Sequence, residues 1–192
     1  MKQVFTSLAI IGFLMVSPID NNVWATSAED VIRTTTNEVL DNPERLKDPK
    51  EVGKLLDNVF SFYLMSRSVL GQHWKSATKS QKKRFIRAFR DLLIRTYSNA
   101  LVEAAGKVKK DDVKYSSKVR GKKTTVFTDV QQKGKKTIKV KYEMRNRKGK
   151  WQVYNVIVGG VSLVNNYRTE FRNKVQKIGL DALISEIKNR KK

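Results

Sequence analysis

The chain of 192 residues has no cysteine, one histidine and 18 acidic residues. Without cysteine, disulfides, thiolate metal sites and cysteine nucleophiles are excluded. The single histidine, His73, leaves little room for imidazole metal centres or catalytic triads. We interpret it as a packing or surface residue beside Trp74, because no partner near it in the sequence would position it as a base. The sequence also lacks a phosphate-binding glycine loop and a nucleophile elbow. We therefore expect a protein that is not an enzyme and that uses no metal or cofactor.

Positive charge is what the sequence has in excess. Lys and Arg number 40, so the formal net charge is +22 at pH 7. Hydrophobic residues make up 40% of the chain, which suffices to build the core of a single domain. The charge leaves three partner classes open, namely nucleic acid, an anionic membrane surface and an acidic protein.

The N-terminus predicts export. Residues 4–16 form a mostly apolar stretch behind Lys2 that is short for a bilayer span, and Ala25 is a small residue at a suitable cleavage position. We interpret residues 1–25 as a signal peptide and residues 26–192 as one domain; the alternative is a buried or anchoring N-terminal helix. Export argues against nucleic acid as a partner. No later segment approaches a membrane span, so we expect no stable membrane insertion.

The first half of the chain has helical periodicity. A short helix is predicted over 27–40, and a second helix with a broad apolar face over 55–70. Thr78 and Gln81 have the spacing of a capping box and open a long helix whose apolar residues recur every three or four positions over 85–104.

Beyond Gly106 the period changes from 3.6 to 2. Apolar and polar residues alternate over 113–119, 126–130 and 138–144, and a fourth strand over 151–158 is apolar on both faces. Turns rich in Gly and Lys separate these strands, which predicts hairpins and an antiparallel sheet of about four strands.

After the sheet the chain returns to helix. Ser162 is placed to cap one helix, and Gly179 breaks it before a terminal helix. The order predicts an α+β fold in which the apolar face of the sheet packs against the long helix, with further N- and C-terminal helices.

The strands carry most of the positive charge. Residues 107–151 hold 17 basic and 4 acidic side chains, and Lys139, Lys141 and Arg145 share one strand face. We expect this face to be an outer cationic surface. It would either keep the protein soluble or dock acidic partners or anionic lipid headgroups, and the pattern does not separate these interpretations.

Three isolated acids, Asp57, Asp91 and Asp129, are of the kind that could act as a single base.

Several separated motifs resemble the MlaC family, also called the toluene-tolerance Ttg2 auxiliary component. They cover nearly all of the predicted mature chain in unchanged order. The motifs are FYLMSRSVLGQHW at 62–74, RFIRAFRDLLIRTY at 84–97, WQVYNV at 151–156, GVSLVNNYR at 160–168 and GLDALI at 179–184. Two departures are Asn155, where the family often has Asp, and Gly159, where it often has Glu.

The resemblance implies a periplasmic phospholipid carrier. Such a carrier shuttles lipid between an outer-membrane lipoprotein-porin complex and an inner-membrane ABC transporter with its substrate-binding MCE-type subunit, and so maintains outer-membrane asymmetry. It also implies a curved, cone-shaped sheet like that of nuclear transport factor 2, with acyl chains held between the sheet and the helices.

A phospholipid needs such a carrier because its two tails have on the order of 30 methylene groups, each costing about 0.8 kcal/mol in water. We expect an apolar cavity that wraps both tails, with Arg67 and Arg168 available for a phosphate at its mouth. Periodicity does not distinguish cavity walls from plain core. The candidate wall residues are Phe60, Tyr63, Met65, Leu70, Trp74, Phe85, Phe89, Leu92, Leu93, Tyr97, Leu101, Val126, Ile138, Val140, Tyr142, Val153, Val156, Val161, Val164 and Tyr167.

Two other functions stay open at this point. An exported cone-fold enzyme acting on a small apolar substrate would require a deeply buried carboxylate in the cavity. A basic envelope adaptor would have a solid interior and would bind proteins through its cationic sheet.

Overall fold

The computed structural model describes residues 26–131, 134 and 136–190, so the predicted signal peptide lies outside the described residues. Short 3-10 turns occur at Pro43–Lys47 and Lys110–Asp112. The elements, in chain order, are α1 (Ala28–Asp41), α2 (Pro49–Val59), α3 (Phe62–Leu70), α4 (His73–Ser76), α5 (Lys79–Ala105), β1 (Val113–Arg120), β2 (Lys123–Val130), β3 (Ile138–Arg147), β4 (Lys150–Val158), β5 (Val161–Ser162) and α6 (Leu163–Asn189).

The predicted helix starts are confirmed by their caps. The Thr78 side chain accepts a hydrogen bond from the Gln81 backbone N–H, and the Gln81 side chain accepts one from the Thr78 N–H, which completes the capping box of α5. The Ser162 hydroxyl accepts from the Asn165 N–H at the start of α6. These bonds satisfy backbone donors that the first helical turn leaves free.

The single helix predicted over 55–70 is wrong, because the chain forms α2 and α3 with a break at Phe60 and Ser61. Phe60 is extended (φ −99°, ψ 141°) and forms a parallel bridge with Val153 of β4. The Ser61 N–H donates to the Val153 carbonyl at 2.8 Å, and the Ser61 hydroxyl accepts from the Leu64 N–H. Pairing with the sheet therefore outweighs the helical periodicity at this point.

The sheet is antiparallel and open, with the order β1-β2-β3-β4-β5. The prediction of an antiparallel sheet is confirmed, with the short β5 as a fifth strand. The β3–β4 hairpin has a two-residue loop, Lys148 and Gly149, with φ of 52° and 82°, as a type I′ turn requires. Glu143 and Met144 of β3 pair with Asn155 and Val153, so Tyr154 of β4 is the extra residue of a β-bulge.

One face of the sheet is apolar and packs beneath α1. The buried residues of this face and the helical residues that pack on it form the sheet cluster, which consists of Ala28, Ile32, Val59, Val126, Met144 and Val153. The expected layer of helix on sheet is present, but α1 rather than α5 covers this face. The long helix instead packs against α2, α3 and α6, since its apolar residues fit against other helices.

The helices form a cluster of their own. Phe85 and Phe89 of α5 pack edge-to-face against Phe171 of α6, with ring centroids 5.9 and 6.1 Å apart. We call this the helical cluster, and it contains buried residues of α3, α4, α5 and α6. Gly179 (φ 81°, ψ 165°) kinks α6 so that Leu183 also packs into it. A third cluster joins Leu46 and Val52 to the C-terminal half of α5. None of the described helices is both long and apolar enough to cross a bilayer.

Candidate functional site

A cleft of about 460 Å³ opens between α3, α6 and the charged face of the sheet. Four of its lining residues are cationic, and among the described residues that line it there is no acid. The lining consists of Leu64, Arg67 and Ser68 of α3, Gly71 at its end, Lys123 of β2, Arg145 of β3, Tyr154 of β4 and Arg168 of α6.

Arg67 and Arg168, the two predicted headgroup ligands, meet in this cleft. α3 and α6 pack against each other, which brings the two arginines together from distant parts of the chain. The Arg168 Nε donates to the Ser68 carbonyl at 2.7 Å. That bond fixes one edge of the guanidinium beside α3 and leaves its other nitrogens available to a ligand.

Lys123 and Arg145 also line the cleft, although the sequence did not place them in the candidate site. They are register partners on β2 and β3, so their side chains leave the same face of the sheet. We expected the cationic face to be an outer surface, but at this end it faces α3 and α6. The alternation of residues in the strand predicted the face on which Arg145 lies. The position of α3 depends on the break at Phe60, and no feature of the sequence indicated that break.

The four cations of the cleft form no ion pair within the part of the chain that the structure describes. The nearby Glu143 accepts a hydrogen bond from the Asn155 side-chain amide at 3.0 Å. Burial raises the pKa of Tyr154; Glu143 adds to the rise and Arg145 opposes it. The cleft therefore has an uncompensated positive potential and suits an anion.

Most of the candidate wall residues lie in the two clusters that flank the sheet edge. In or against the helical cluster are Met65, Leu70, Trp74, Phe85, Phe89, Leu92, Leu93, Val164 and Tyr167, and in or against the sheet cluster are Val126, Tyr142, Val153 and Val156. Leu101 packs into the third cluster and Val140 is half-buried. Tyr63, Tyr97, Ile138 and Val161 are exposed.

Phe60 packs against both clusters, and we call this point of contact between them the seam. The Phe60 ring stacks on that of Phe62, with centroids 6.2 Å apart.

Two tyrosines among the candidates have hydroxyl groups with raised pKa values. Burial raises the pKa of Tyr142 to about 12, and Tyr115 adds to it. Burial also raises the pKa of Tyr167 to about 12, with further contributions from Tyr97.

The three acids considered as catalytic bases do not meet in the cleft. Asp57 and Asp91 are exposed and bind the same Arg90 guanidinium, with N–O distances of 2.7 and 2.9 Å. Asp129 is half-buried on β2. His73 is half-buried in α4. Across residues 26–131, 134 and 136–190, no group of acidic or histidine side chains is arranged to hold a metal ion.

Comparison with known proteins gives consistent matches. The model of the family described as MlaC protein matches residues 25–189. The toluene tolerance protein ttg2D of Pseudomonas putida is 30% identical over 181 residues, which cover 83% of this chain and 78% of that protein. The intermembrane phospholipid transport system binding protein MlaC of Haemophilus influenzae is 27% identical over 124 residues, 62% of this chain and 56% of that protein.

The fold also has a solved counterpart. A phospholipid-binding protein from Ralstonia solanacearum, whose structure contains a phospholipid, superposes with a TM-score of 0.70. The match covers 84% of this chain and 94% of that one at 22% sequence identity. This likeness establishes a common architecture.

Proposed function

This chain belongs to the MlaC family, and we propose that it is a periplasmic carrier that binds phospholipid and moves it between the two membranes of the envelope. The observation that carries the proposal is the cationic cleft, which opens beside two apolar clusters in a chain matching the family over residues 25–189. We further propose that it exchanges lipid with an outer-membrane lipoprotein-porin complex and with the MCE-type subunit of an inner-membrane ABC transporter, and so maintains outer-membrane asymmetry. Residues 1–25 would act as the cleaved signal peptide.

The cleft has the volume of a headgroup site rather than of a whole lipid. Pockets of about 300–1,000 Å³ enclose drug-sized ligands, and a lipid with two tails is larger than these. We therefore propose that the headgroup binds among Arg67, Lys123, Arg145 and Arg168, and that the tails separate the helical and sheet clusters at Phe60. The candidates that lie in or against these two clusters are the proposed walls of that opened space.

The two-cluster arrangement fits this role because each cluster is packed separately. Tails that enter at the seam would take the place of the packing between the clusters and leave the interior of each unchanged. Burying their methylene groups would contribute about 0.8 kcal/mol per group, enough to offset the separation of Phe60 from its neighbours.

Lipid extraction tests the carrier function. The chain expressed with its first 25 residues in a bacterial host should be recovered from the periplasm with phospholipid bound, identified by mass spectrometry of an organic extract. The delipidated protein should take up fluorescent phospholipid from vesicles. Purification without lipid, together with no uptake from vesicles, would contradict the proposal.

A matched pair of variants tests the path of the tails. Val156 is half-buried against the sheet cluster, which Phe60 also contacts. Val156→Trp should therefore fill space that the tails need and lower the amount of lipid bound per protein. Ile178→Trp introduces the same ring at an exposed position of α6 and should bind lipid normally. Equal lipid content in the two variants would place the tails elsewhere.

A further inference from the structure

We propose that the cleft selects phospholipids by the net charge of their headgroup, and prefers anionic headgroups such as phosphatidylglycerol over zwitterionic ones such as phosphatidylethanolamine. This inference rests on the proposed carrier function and adds the class of lipid carried.

The charge balance of the cleft is one-sided. Arg67, Lys123, Arg145 and Arg168 all line it, none of them is in a salt bridge within the described chain, and the described lining includes no carboxylate. Acidic side chains on the helices outside the cleft form hydrogen bonds or ion pairs with other residues. Asp181, for example, accepts from Arg84 at 2.6 Å and from Gln81 at 3.0 Å.

A phosphate alone would not discriminate between lipids, because every phospholipid has one. The guanidinium groups of Arg67 and Arg168 suit the phosphate oxygens, since arginine presents several donors in one plane. The preference depends on the part of the headgroup beyond the phosphate, which is an ammonium in one lipid and a glycerol in the other. An ethanolamine ammonium lies close to its own phosphate, so it would be placed among the remaining cations. The nearby Glu143 is not in the described lining and already accepts a hydrogen bond from Asn155.

An anionic headgroup avoids this repulsion. The hydroxyls of a glycerol headgroup are uncharged, and Ser68 and Tyr154 are the hydroxyl-bearing residues of the cleft lining. Lys123 and Arg145 then add attraction to the phosphate instead of repulsion toward an ammonium. Their place on two neighbouring strands holds both charges on the same side of the bound lipid.

Competition within one vesicle population tests the selection. Delipidated protein is incubated, in phosphate-free buffer, with vesicles containing equal amounts of phosphatidylglycerol and phosphatidylethanolamine with identical acyl chains. The protein is then separated and its lipid quantified by mass spectrometry. Both lipids are on the same vesicles, so general attraction of the +22 chain to an anionic surface affects them equally. We expect bound phosphatidylglycerol to exceed phosphatidylethanolamine about fivefold, equivalent to about 1 kcal/mol.

Two double variants separate the cleft from overall charge. The lipid that Lys123→Gln with Arg145→Gln binds should have a phosphatidylglycerol to phosphatidylethanolamine ratio near that of the vesicles. Arg87→Gln with Arg172→Gln removes two exposed charges outside the cleft lining and should retain the fivefold preference.

The outcomes distinguish this inference from the carrier function. Stoichiometric lipid with no preference in the unmodified protein would overturn the selection and leave the carrier function intact. Equal loss of preference in both double variants would also overturn it, since the effect would then come from net charge. No lipid bound to any of the proteins would overturn both proposals.

Discussion

At the scale of single residues, Asn155 connects three parts of the molecule around the cleft. It is buried on β4, its amide nitrogen donates to Glu143 on β3, and its carbonyl oxygen accepts from the Ser162 hydroxyl and the Val164 N–H at the start of α6. An aspartate at this position would lack the donor from which Glu143 accepts. The amide of Asn155 therefore serves β3 and the start of α6 at once.

Asn155→Asp should lower the free energy of unfolding at pH 7 by about 2 kcal/mol, because it would place two carboxylates at hydrogen-bond distance in a partly buried site. Urea unfolding followed by circular dichroism measures the change. Adding Glu143→Gln should restore most of the loss, since the glutamine amide can donate to the new carboxylate. A double variant no more stable than the single one would contradict this account.

The hydrogen bonds of Glu51 predict how the stability of the folded protein depends on pH. Hydrogen bonds from Lys54 and Arg45, both at 2.6 Å, lower the pKa of Glu51 to about 2 from an ordinary value of 4.5. A lowered carboxyl pKa stabilises the folded state above the unfolded value, and this contribution disappears as the pH falls through the folded one. Glu51→Gln should therefore have a lower urea midpoint than the unmodified protein at pH 6, and the gap should close as the pH approaches 2. A gap that is constant with pH would contradict the assignment.

At the scale of elements, the kink in α6 depends on glycine. Gly179 has φ 81° and ψ 165°, a conformation that is nearly exclusive to glycine. It allows Leu183, Ile184 and Ile187 to pack into the helical cluster after the chain changes direction. Without the kink, a straight helix would carry these side chains away from α5.

Gly179→Ala should therefore lower the free energy of unfolding by about 1–3 kcal/mol through backbone strain, although there is open space around the added methyl group. Gly106→Ala is the matched control, because Gly106 has an ordinary φ of −75° at the end of α5. It should be neutral or slightly stabilising. The midpoints of thermal unfolding compare the two, and equal midpoints would contradict the prediction.

The elements also show what the sequence could and could not predict. The caps at Thr78 and Ser162 were predictable because capping depends on residues three positions apart. The strands were predictable from alternation. The break at Phe60 was not, because it arises from pairing with Val153 in a distant strand, and local periodicity contains no information about such a partner.

The lining of the candidate site was predictable to the same extent. Arg67 and Arg168 were identified within motifs that resemble the family, and the structure places them together. Arg145 was expected on an outer surface and Lys123 was not assigned to the site, because the contribution of both to the cleft depends on where α3 crosses the sheet. Periodicity also could not predict that α1 covers the apolar face of the sheet, since several amphipathic helices have suitable faces.

At the scale of the whole molecule, the net charge of +22 predicts how lipid uptake depends on salt. Electrostatic attraction accelerates the approach to an anionic surface, and the Debye length falls from about 10 Å at 0.1 M salt to about 3 Å at 1 M. The rate of uptake from phosphatidylglycerol vesicles should fall at least about tenfold over this range. Stopped-flow fluorescence measures the rate. Uptake from zwitterionic vesicles should change little, and an equal fall for both would contradict an electrostatic approach.

The open edge of the sheet has a consequence for how copies of this protein coexist. β1 pairs only with β2 among the described strands, so one of its edges is available to another strand. Lys114, Lys118 and Arg120 are exposed along it, and repulsion between such charges opposes the edge-to-edge pairing that begins aggregation. The charged strands thus oppose association between copies of the protein at high concentration.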